Sequence, residues 1–133
     1  MTVPFEVKDW VILMVDDQPD NLVPAHRLLT GLGATVYVAR DGLQALETLT
    51  GIQPTVILTD LSMPTMSGWD LLKHIRSNAA TASTMVIAVT AHALPVDRQK
   101  GMEAGFDGYI TKPFRPSMII QEIRRLAAEA QAA

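Results

Sequence analysis

The feature that most constrains the fold of this chain is a regular alternation between short apolar runs and stretches with helical periodicity. Five short runs are dominated by β-branched, aliphatic or aromatic residues. The first, third and fourth are almost continuously apolar, which is typical of strands covered by helices on both faces. Strands are therefore predicted at Val11–Val15, Thr35–Ala39, Val56–Thr59, Val86–Val89 and Gly108–Ile110.

The stretches between these runs carry apolar residues at three- and four-residue spacing, which predicts a helix after each strand. The first helix is expected around Asp20–Leu32, where Pro24 is unfavourable unless the helix begins late enough to place it in the first turn. One later segment has only a thin apolar stripe and is expected to dock less firmly than its neighbours. The later helices are predicted at Gly42–Thr50, Gly68–Ser77, Pro95–Ala104 (the segment with the thin stripe) and Pro116–Ala130.

Five strand–helix units in succession predict an α/β fold, a flavodoxin-like, doubly wound parallel sheet of five strands with five helices. The expected strand order is 2-1-3-4-5, which places the alternating second run and the short fifth run at the sheet edges. Residues 1–9 are interpreted as an N-terminal leader, 10–127 as the domain, and 128–133 as a helix tail or the start of a linker.

The composition restricts the possible functions. At 133 residues the chain has one domain's worth of core, and without cysteine it can form neither disulfides nor thiolate metal sites. No apolar run approaches the ~20 residues that span a bilayer, and the first ten residues lack the layout of a secretory signal. A cytoplasmic protein without membrane insertion is expected. The net charge of −3 with no basic block argues against direct nucleic-acid binding.

Polar residues follow the apolar runs at the ends where ligands bind in sheets of this type. Asp16 and Asp17 follow the first strand, Asp60 the third, Thr90 the fourth, and Lys112 the fifth. Neighbouring strands lie about 4.8 Å apart, so the three carboxylates are expected within a few ångströms of one another.

Three carboxylates in one crevice repel each other, and a hard divalent cation such as Mg²⁺, with Mn²⁺ as a possible substitute, is the natural compensation. A hydroxyl and a compact ammonium group suit the opposite side of a phosphoryl group. The set therefore predicts phosphoryl transfer with a carboxylate as nucleophile. Taken singly, each residue is also compatible with a helix cap or a solvated surface position, so the prediction depends on the coincidence of all five.

The sequence contains an ordered set of motifs, which are Asp16-Asp17, Asp60-Leu-Ser-Met-Pro, Met66-Ser-Gly68, Thr90-Ala91 and Lys112-Pro113-Phe114. With this set the chain resembles the receiver domain of two-component response regulators, of the chemotaxis-regulator-like single-domain type. The resemblance spans about residues 10–127.

The resemblance implies that Asp60 accepts a phosphoryl group from a sensor histidine kinase or a histidine phosphotransfer protein. It implies that Asp16, Asp17, Asp60 and the backbone carbonyl of Ser62 hold Mg²⁺. The chain would catalyse its own phosphorylation and dephosphorylation without turning over an external substrate. It is therefore not expected to be an enzyme in the ordinary sense.

The resemblance also implies a switch. Thr90 and Lys112 would contact the phosphoryl oxygens, and Tyr109 would turn inward when the threonine hydroxyl moves. A downstream protein would then bind the face formed by the fourth helix, fifth strand and fifth helix. The peptide bond between Lys112 and Pro113 is expected to be cis. Ser62 and His92 stand two residues beyond Asp60 and Thr90, where they are possible modulators of the lifetime of the phosphoryl group.

Four other functional classes share features with this sequence. A flavodoxin-like cofactor binder needs a phosphate-cradling loop after the first strand, but the loop here is acidic. A phosphatase of the haloacid-dehalogenase type needs an Asp-x-Asp motif, which neither strand end supplies. A receiver-like scaffold that works without phosphorylation, and the N-terminal receiver of a longer regulator with an output domain, both remain open.

Overall fold

The structure, a computed structural model, describes residues 3–92 and 94–132. Its centre is a parallel five-stranded sheet in the order β2-β1-β3-β4-β5, which confirms the predicted topology. All four strand pairs are parallel. The strands are β1 (Val11–Val15), β2 (Thr35–Ala39), β3 (Val56–Thr59), β4 (Met85–Thr90) and β5 (Gly108–Thr111).

Five α-helices follow the strands in turn, and two short 3-10 helices at Val7–Asp9 and Pro19–Leu22 precede β1 and α1. The helices are α1 (Val23–Gly31), α2 (Gly42–Leu49), α3 (Gly68–Ser77), α4 (Pro95–Ala104) and α5 (Pro116–Ala132). None of the helices in the described part of the chain has the length and hydropathy to cross a bilayer.

The sheet separates two apolar layers because its central strands are buried on both faces. Alternate residues of β1 point to opposite sides, so that Ile12 belongs to one layer and Leu13 to the other. The first layer contains side chains of α1 and α5, and the second contains side chains of α2 and α3. Both layers leave the ends of the strands free for polar residues.

The position of Pro24 shows how α1 accommodates a proline. A 3-10 turn precedes the helix, and α1 begins only at Val23. Pro24 therefore lies in the first turn, where a missing backbone N–H breaks no intrahelical hydrogen bond.

The stretch interpreted as a leader contributes side chains to the core. Val3 and Val7 are buried beside Trp10, which is fully buried. The indole Nε1 of Trp10 donates a hydrogen bond of 2.7 Å to the carbonyl of Pro4. Residues 3–9 therefore pack with the domain.

Arg76 at the end of α3 connects two loops, α3–β4 and α4–β5, at the end of the sheet away from the acidic residues. Its guanidinium group donates to the carbonyls of Ala82, Thr84 and Gly105 at 3.1, 2.6 and 2.9 Å. It also pairs with the carboxylate of Asp107 at 2.9 Å. Because loop carbonyls have no partners in regular secondary structure, one arginine satisfies three acceptors that the α3–β4 and α4–β5 connections leave free.

Candidate functional site

The residues predicted from the strand ends meet at the carboxyl ends of the parallel strands. Asp16 directly follows β1, Asp60 follows β3, and Lys112 follows β5. The Lys112 ammonium group lies 2.9 Å from Oδ2 of Asp16 and 3.1 Å from Oδ2 of Asp60. The lysine thus bridges two carboxylates that come from neighbouring strands.

The three aspartates form a compact acidic cluster. Asp16, Asp17 and Asp60 each offer a carboxylate oxygen, and these oxygens lie within 4.8 Å of one another. Asp16 is buried, Asp60 is half-buried and Asp17 is exposed. A cluster of oxygen donors without histidine or cysteine fits a small hard cation such as Mg²⁺.

Lys112 compensates part of this negative charge. Burial by itself lowers the pKa of the lysine, but hydrogen bonds from the ammonium group to Asp16 and Asp60, together with their charges, outweigh burial and raise that pKa. The site therefore contains a permanent ammonium group that faces two carboxylates at neutral pH.

Backbone N–H groups fix the other oxygens of the two bridged carboxylates. Oδ1 of Asp16 accepts a hydrogen bond of 2.9 Å from the N–H of Gln18. Oδ1 of Asp60 accepts one of 3.2 Å from the N–H of Ser62. Each carboxylate thus has one oxygen on the backbone and the other on Lys112. The role of the Ser62 carbonyl as a metal ligand stays a prediction.

The β3–α3 loop approaches Asp60 closely. At Gly68 a Cβ atom would overlap the carbonyl oxygen of Asp60, so only glycine allows α3 to begin there. Thr65 in the same loop has a positive φ of 71°, and the next N–H donates back to the carbonyl of Pro64 at 2.8 Å. Such backbone is uncommon for a β-branched residue and indicates local strain.

Thr90 and Tyr109 are connected through the backbone of His92. The buried hydroxyl of Thr90 accepts a hydrogen bond of 3.3 Å from the N–H of His92. The hydroxyl of Tyr109 donates to the carbonyl of His92 at 2.8 Å. Tyr109 is only 4% exposed, which excludes the solvent-facing position that a strand tyrosine often takes. Its pKa is raised, first because the phenol is buried.

The peptide bond between Lys112 and Pro113 is cis, the geometry that the resemblance predicts. On one side of the site, this proline lines a cleft of about 400 Å³ together with Pro24, Ala91 and Phe114. The proline of α1 that seemed unfavourable in the sequence is therefore part of a wall beside Lys112.

A second cleft of about 300 Å³ opens on the other side of the site. Ser62 and His92, the two predicted lifetime modulators, both line it. Trp69 and Lys100 line it as well, and the sequence had not singled them out. In the sequence, the one indication that Trp69 lies near the site is its position at the start of α3, directly after the loop that follows Asp60.

Fold and site together define a parallel α/β domain with an acidic cluster and a lysine at the carboxyl ends of its strands, and comparison with known proteins gives its family. The sequence model of one protein family, the response regulator receiver domain, matches residues 12–124. The chain belongs to this family. An uncharacterised 14.6 kDa protein of Leptolyngbya boryana is 35% identical over 114 residues, which cover 86% of this chain and 87% of the relative. The chain spans between 12% and 49% of several other curated relatives, among them sensor histidine kinases and DNA-binding response regulators.

Solved structures show the same fold. The chemotaxis response regulator CheY4 of Vibrio cholerae superposes with a TM-score of 0.82 at 28% identity, over 88% of this chain and 98% of that protein. The receiver domain of the sensor histidine kinase PA1611 of Pseudomonas aeruginosa gives a TM-score of 0.79 at 30% identity, over 90% and 98%. That structure holds a magnesium ion coordinated in its active site cleft.

Proposed function

We propose that this receiver domain accepts a phosphoryl group on Asp60 from a phosphohistidine of a histidine kinase or phosphotransfer protein, in the cytoplasm and with Mg²⁺. The observation that carries the proposal is the bridge from Lys112 to Asp16 and Asp60 inside the three-aspartate cluster. A lone carboxylate near a lysine forms an ordinary ion pair. Three carboxylates with a single lysine, which pairs with two of them, retain negative charge for a cation and leave an acceptor beside it.

The transfer follows from the chemistry of the acceptor. A carboxylate oxygen of Asp60 attacks the phosphorus atom, the bond from phosphorus to the donor imidazole nitrogen breaks, and its electron pair stays on that nitrogen. Lys112 and the hydroxyl of Thr90 donate hydrogen bonds to the phosphoryl oxygens as charge develops on them. The same residues would support hydrolysis of the acyl phosphate by water.

Asp16, Asp17, Asp60 and the carbonyl of Ser62 would hold the metal, and Mn²⁺ has the same preference for oxygen ligands. When bound, Mg²⁺ supplies positive charge to the transferring phosphoryl group. The magnesium ion in the receiver domain of the P. aeruginosa kinase supports this assignment.

The two clefts suggest different roles. The cleft beside Pro24 and Phe114 is lined by apolar groups next to Lys112, and it suits the docking of the phosphodonor protein. The cleft with Ser62 and His92 borders the side from which water would reach the acyl phosphate. These two side chains would set its lifetime.

The output surface in this proposal is the α4-β5-α5 face. Several apolar side chains there are exposed, with Leu94 at 64%, Val96 at 53% and Met102 at 46% on the side of α4 and Met118 at 43% on α5. Apolar groups of this size on a water-facing surface are typical of protein-binding sites. A partner protein would cover them when Tyr109 and the loop after Thr90 rearrange.

The decisive experiment is incubation with acetyl phosphate and Mg²⁺, followed by intact mass measurement. The wild-type chain should gain one phosphoryl group, and Asp60→Asn should gain none. Asp41→Asn is the matched control, because Asp41 also follows a strand but only caps α2 through the N–H of Gln44 at 2.8 Å. Modification of Asp60→Asn would show that another residue accepts the phosphoryl group, and no modification of the wild type would favour the scaffold that works without phosphorylation.

A further inference from the structure

The docking of α4 depends on an unusual contact. Among its ten residues, all of which the structure describes, only Gly101 is buried. No side chain caps its N-terminus, and glycine is a poor residue for the interior of a helix. A helix with these features gains its stability from tertiary contact rather than from its own sequence.

The contact at Gly101 is with aromatic rings. A Cβ atom on Gly101 would lie 3.1 Å from Cδ2 and 3.2 Å from Cε2 of Tyr109, and 3.8 Å from Cδ2 of Phe106. These first two distances are shorter than ordinary van der Waals contacts between carbon atoms. The bare backbone of α4 therefore lies directly on the ring of Tyr109, in space that a side chain would occupy.

The same tyrosine is held at two further points. Its hydroxyl donates to the carbonyl of His92 at 2.8 Å, and its own carbonyl accepts a hydrogen bond of 3.3 Å from Arg98 of α4. The ring thus connects α4 to the loop that begins at Thr90.

We propose that Gly101 is a positioning residue that keeps Tyr109 in its buried position, and that the size of the side chain at position 101 sets how much of the protein has this tyrosine buried. The proposal rests on the switch described above and adds its control point on α4. With glycine, the ring and the helix dock together. With a larger side chain, the ring and the helix compete for one space, so either Tyr109 leaves His92 or α4 separates from the sheet.

The test compares Gly101→Ala and Gly101→Leu with Gly31→Ala. Gly31 is a matched control, because it also lies in a helix but its added Cβ would have no atom within 4 Å apart from its chain neighbours and the backbone of its own helix. Nuclear magnetic resonance measures the ring signals of Tyr109, assigned with Tyr109→Phe, and the amide signal of His92. A purely structural role for Gly101 would leave the His92 amide unchanged.

Gly101→Leu should shift both signals and speed amide hydrogen exchange in α4 by about tenfold. Gly101→Ala should move the same signals in the same direction by a smaller amount, which keeps the test valid if the leucine variant does not fold. Gly31→Ala should leave them in place. In the Tyr109→Ala background, Gly101→Leu should cause no further acceleration of exchange, because the two changes then share one contact.

Unchanged Tyr109 and His92 signals in both Gly101 variants would overturn the proposal. Additive effects of Gly101→Leu and Tyr109→Ala on hydrogen exchange in α4 would overturn it as well. Phosphorylation of the same variants by acetyl phosphate is measured in parallel. All Gly101 variants should still accept the phosphoryl group, since Asp60 and the acidic cluster are unchanged. If the wild type accepts none, the proposed function fails, while the resonance measurements still decide the role of Gly101.

Discussion

Replacing Asp17 by Asn should stabilise the protein in metal-free buffer and remove most of its stabilisation by Mg²⁺. The carboxylate oxygens of Asp17, Asp16 and Asp60 lie within 4.8 Å of one another, and Lys112 contacts only the latter two. Two charges at this separation repel by about 0.9 kcal/mol in water. Asp17 has two such neighbours, and the nearby ammonium group offsets part of the repulsion, so the expected gain is about 1 kcal/mol.

A gain of this size should raise the melting temperature by roughly 3–5 °C for a domain of this length. In the wild type, Mg²⁺ at a hundred times its dissociation constant should add about 2.7 kcal/mol, or about 10 °C. In Asp17→Asn the same Mg²⁺ concentration should add less than about 1 kcal/mol, because one charged ligand is lost.

The assay is thermal unfolding by circular dichroism at low ionic strength, with a chelator or with Mg²⁺, because salt screens the repulsion. Asp9→Asn is the matched control, since it removes the same charge from an exposed residue in the 3-10 helix that precedes β1, at the other end of the sheet. It should leave the Mg²⁺ effect intact. If wild type and Asp17→Asn melt at the same temperature in both buffers, the reasoning about the acidic cluster is refuted.

Three further predictions concern stability. Arg76→Met should lower the free energy of unfolding in urea by about 2 kcal/mol, because three loop carbonyls and Asp107 lose their donor. Arg125→Met breaks the pairs of an exposed arginine with Glu122 and Glu129 and should change this free energy by less than about 0.5 kcal/mol. Equal losses in the two variants would contradict this prediction. Thr65→Asn should raise the free energy of unfolding by about 1 kcal/mol, because asparagine tolerates the positive φ better than threonine. A lower free energy of unfolding in this variant would show that the loop is not strained. Burial raises the pKa of Tyr109, so the folded state retains the phenol proton to higher pH than the unfolded chain, and the stability that this provides decreases as the pH rises above about 10. Tyr109→Phe should show a smaller decrease between pH 9 and 11 in urea unfolding, and parallel curves would contradict the raised pKa.

Much of the fold could be predicted because the spacing of apolar residues along the chain reflects which side chains are buried between the sheet and the helices. The predicted bounds of β1, β2, β3 and α3 agree with the structure, since a polar residue directly follows each of these elements. In contrast, β4 begins one residue earlier, at Met85, because that residue pairs with Val56 of the neighbouring strand. Strand pairing of this kind involves backbone groups, and the amino-acid sequence of one strand does not show it.

The candidate site, like the fold, has features that the sequence predicts and features that depend on backbone groups and packing. The meeting of Asp16, Asp60 and Lys112 follows from their positions after parallel strands, which end at one edge of the sheet. The network of Arg76 could not be predicted, because most of its partners are backbone carbonyls, which every residue has. The lining of the second cleft by Trp69 depends on how α3 is rotated about its axis, and one sequence does not determine that rotation to within a residue.

The two tryptophans of the chain occupy very different surroundings. Trp10 is fully buried beneath the N-terminal segment, whereas Trp69 lines the cleft beside Ser62 and His92 and packs edge-on against Phe106, with ring centres 5.5 Å apart. A small quencher dissolved in the buffer should reach the second indole and leave the first emitting. The unmodified protein thus has a built-in optical probe at its site, and a shielded internal reference to calibrate it.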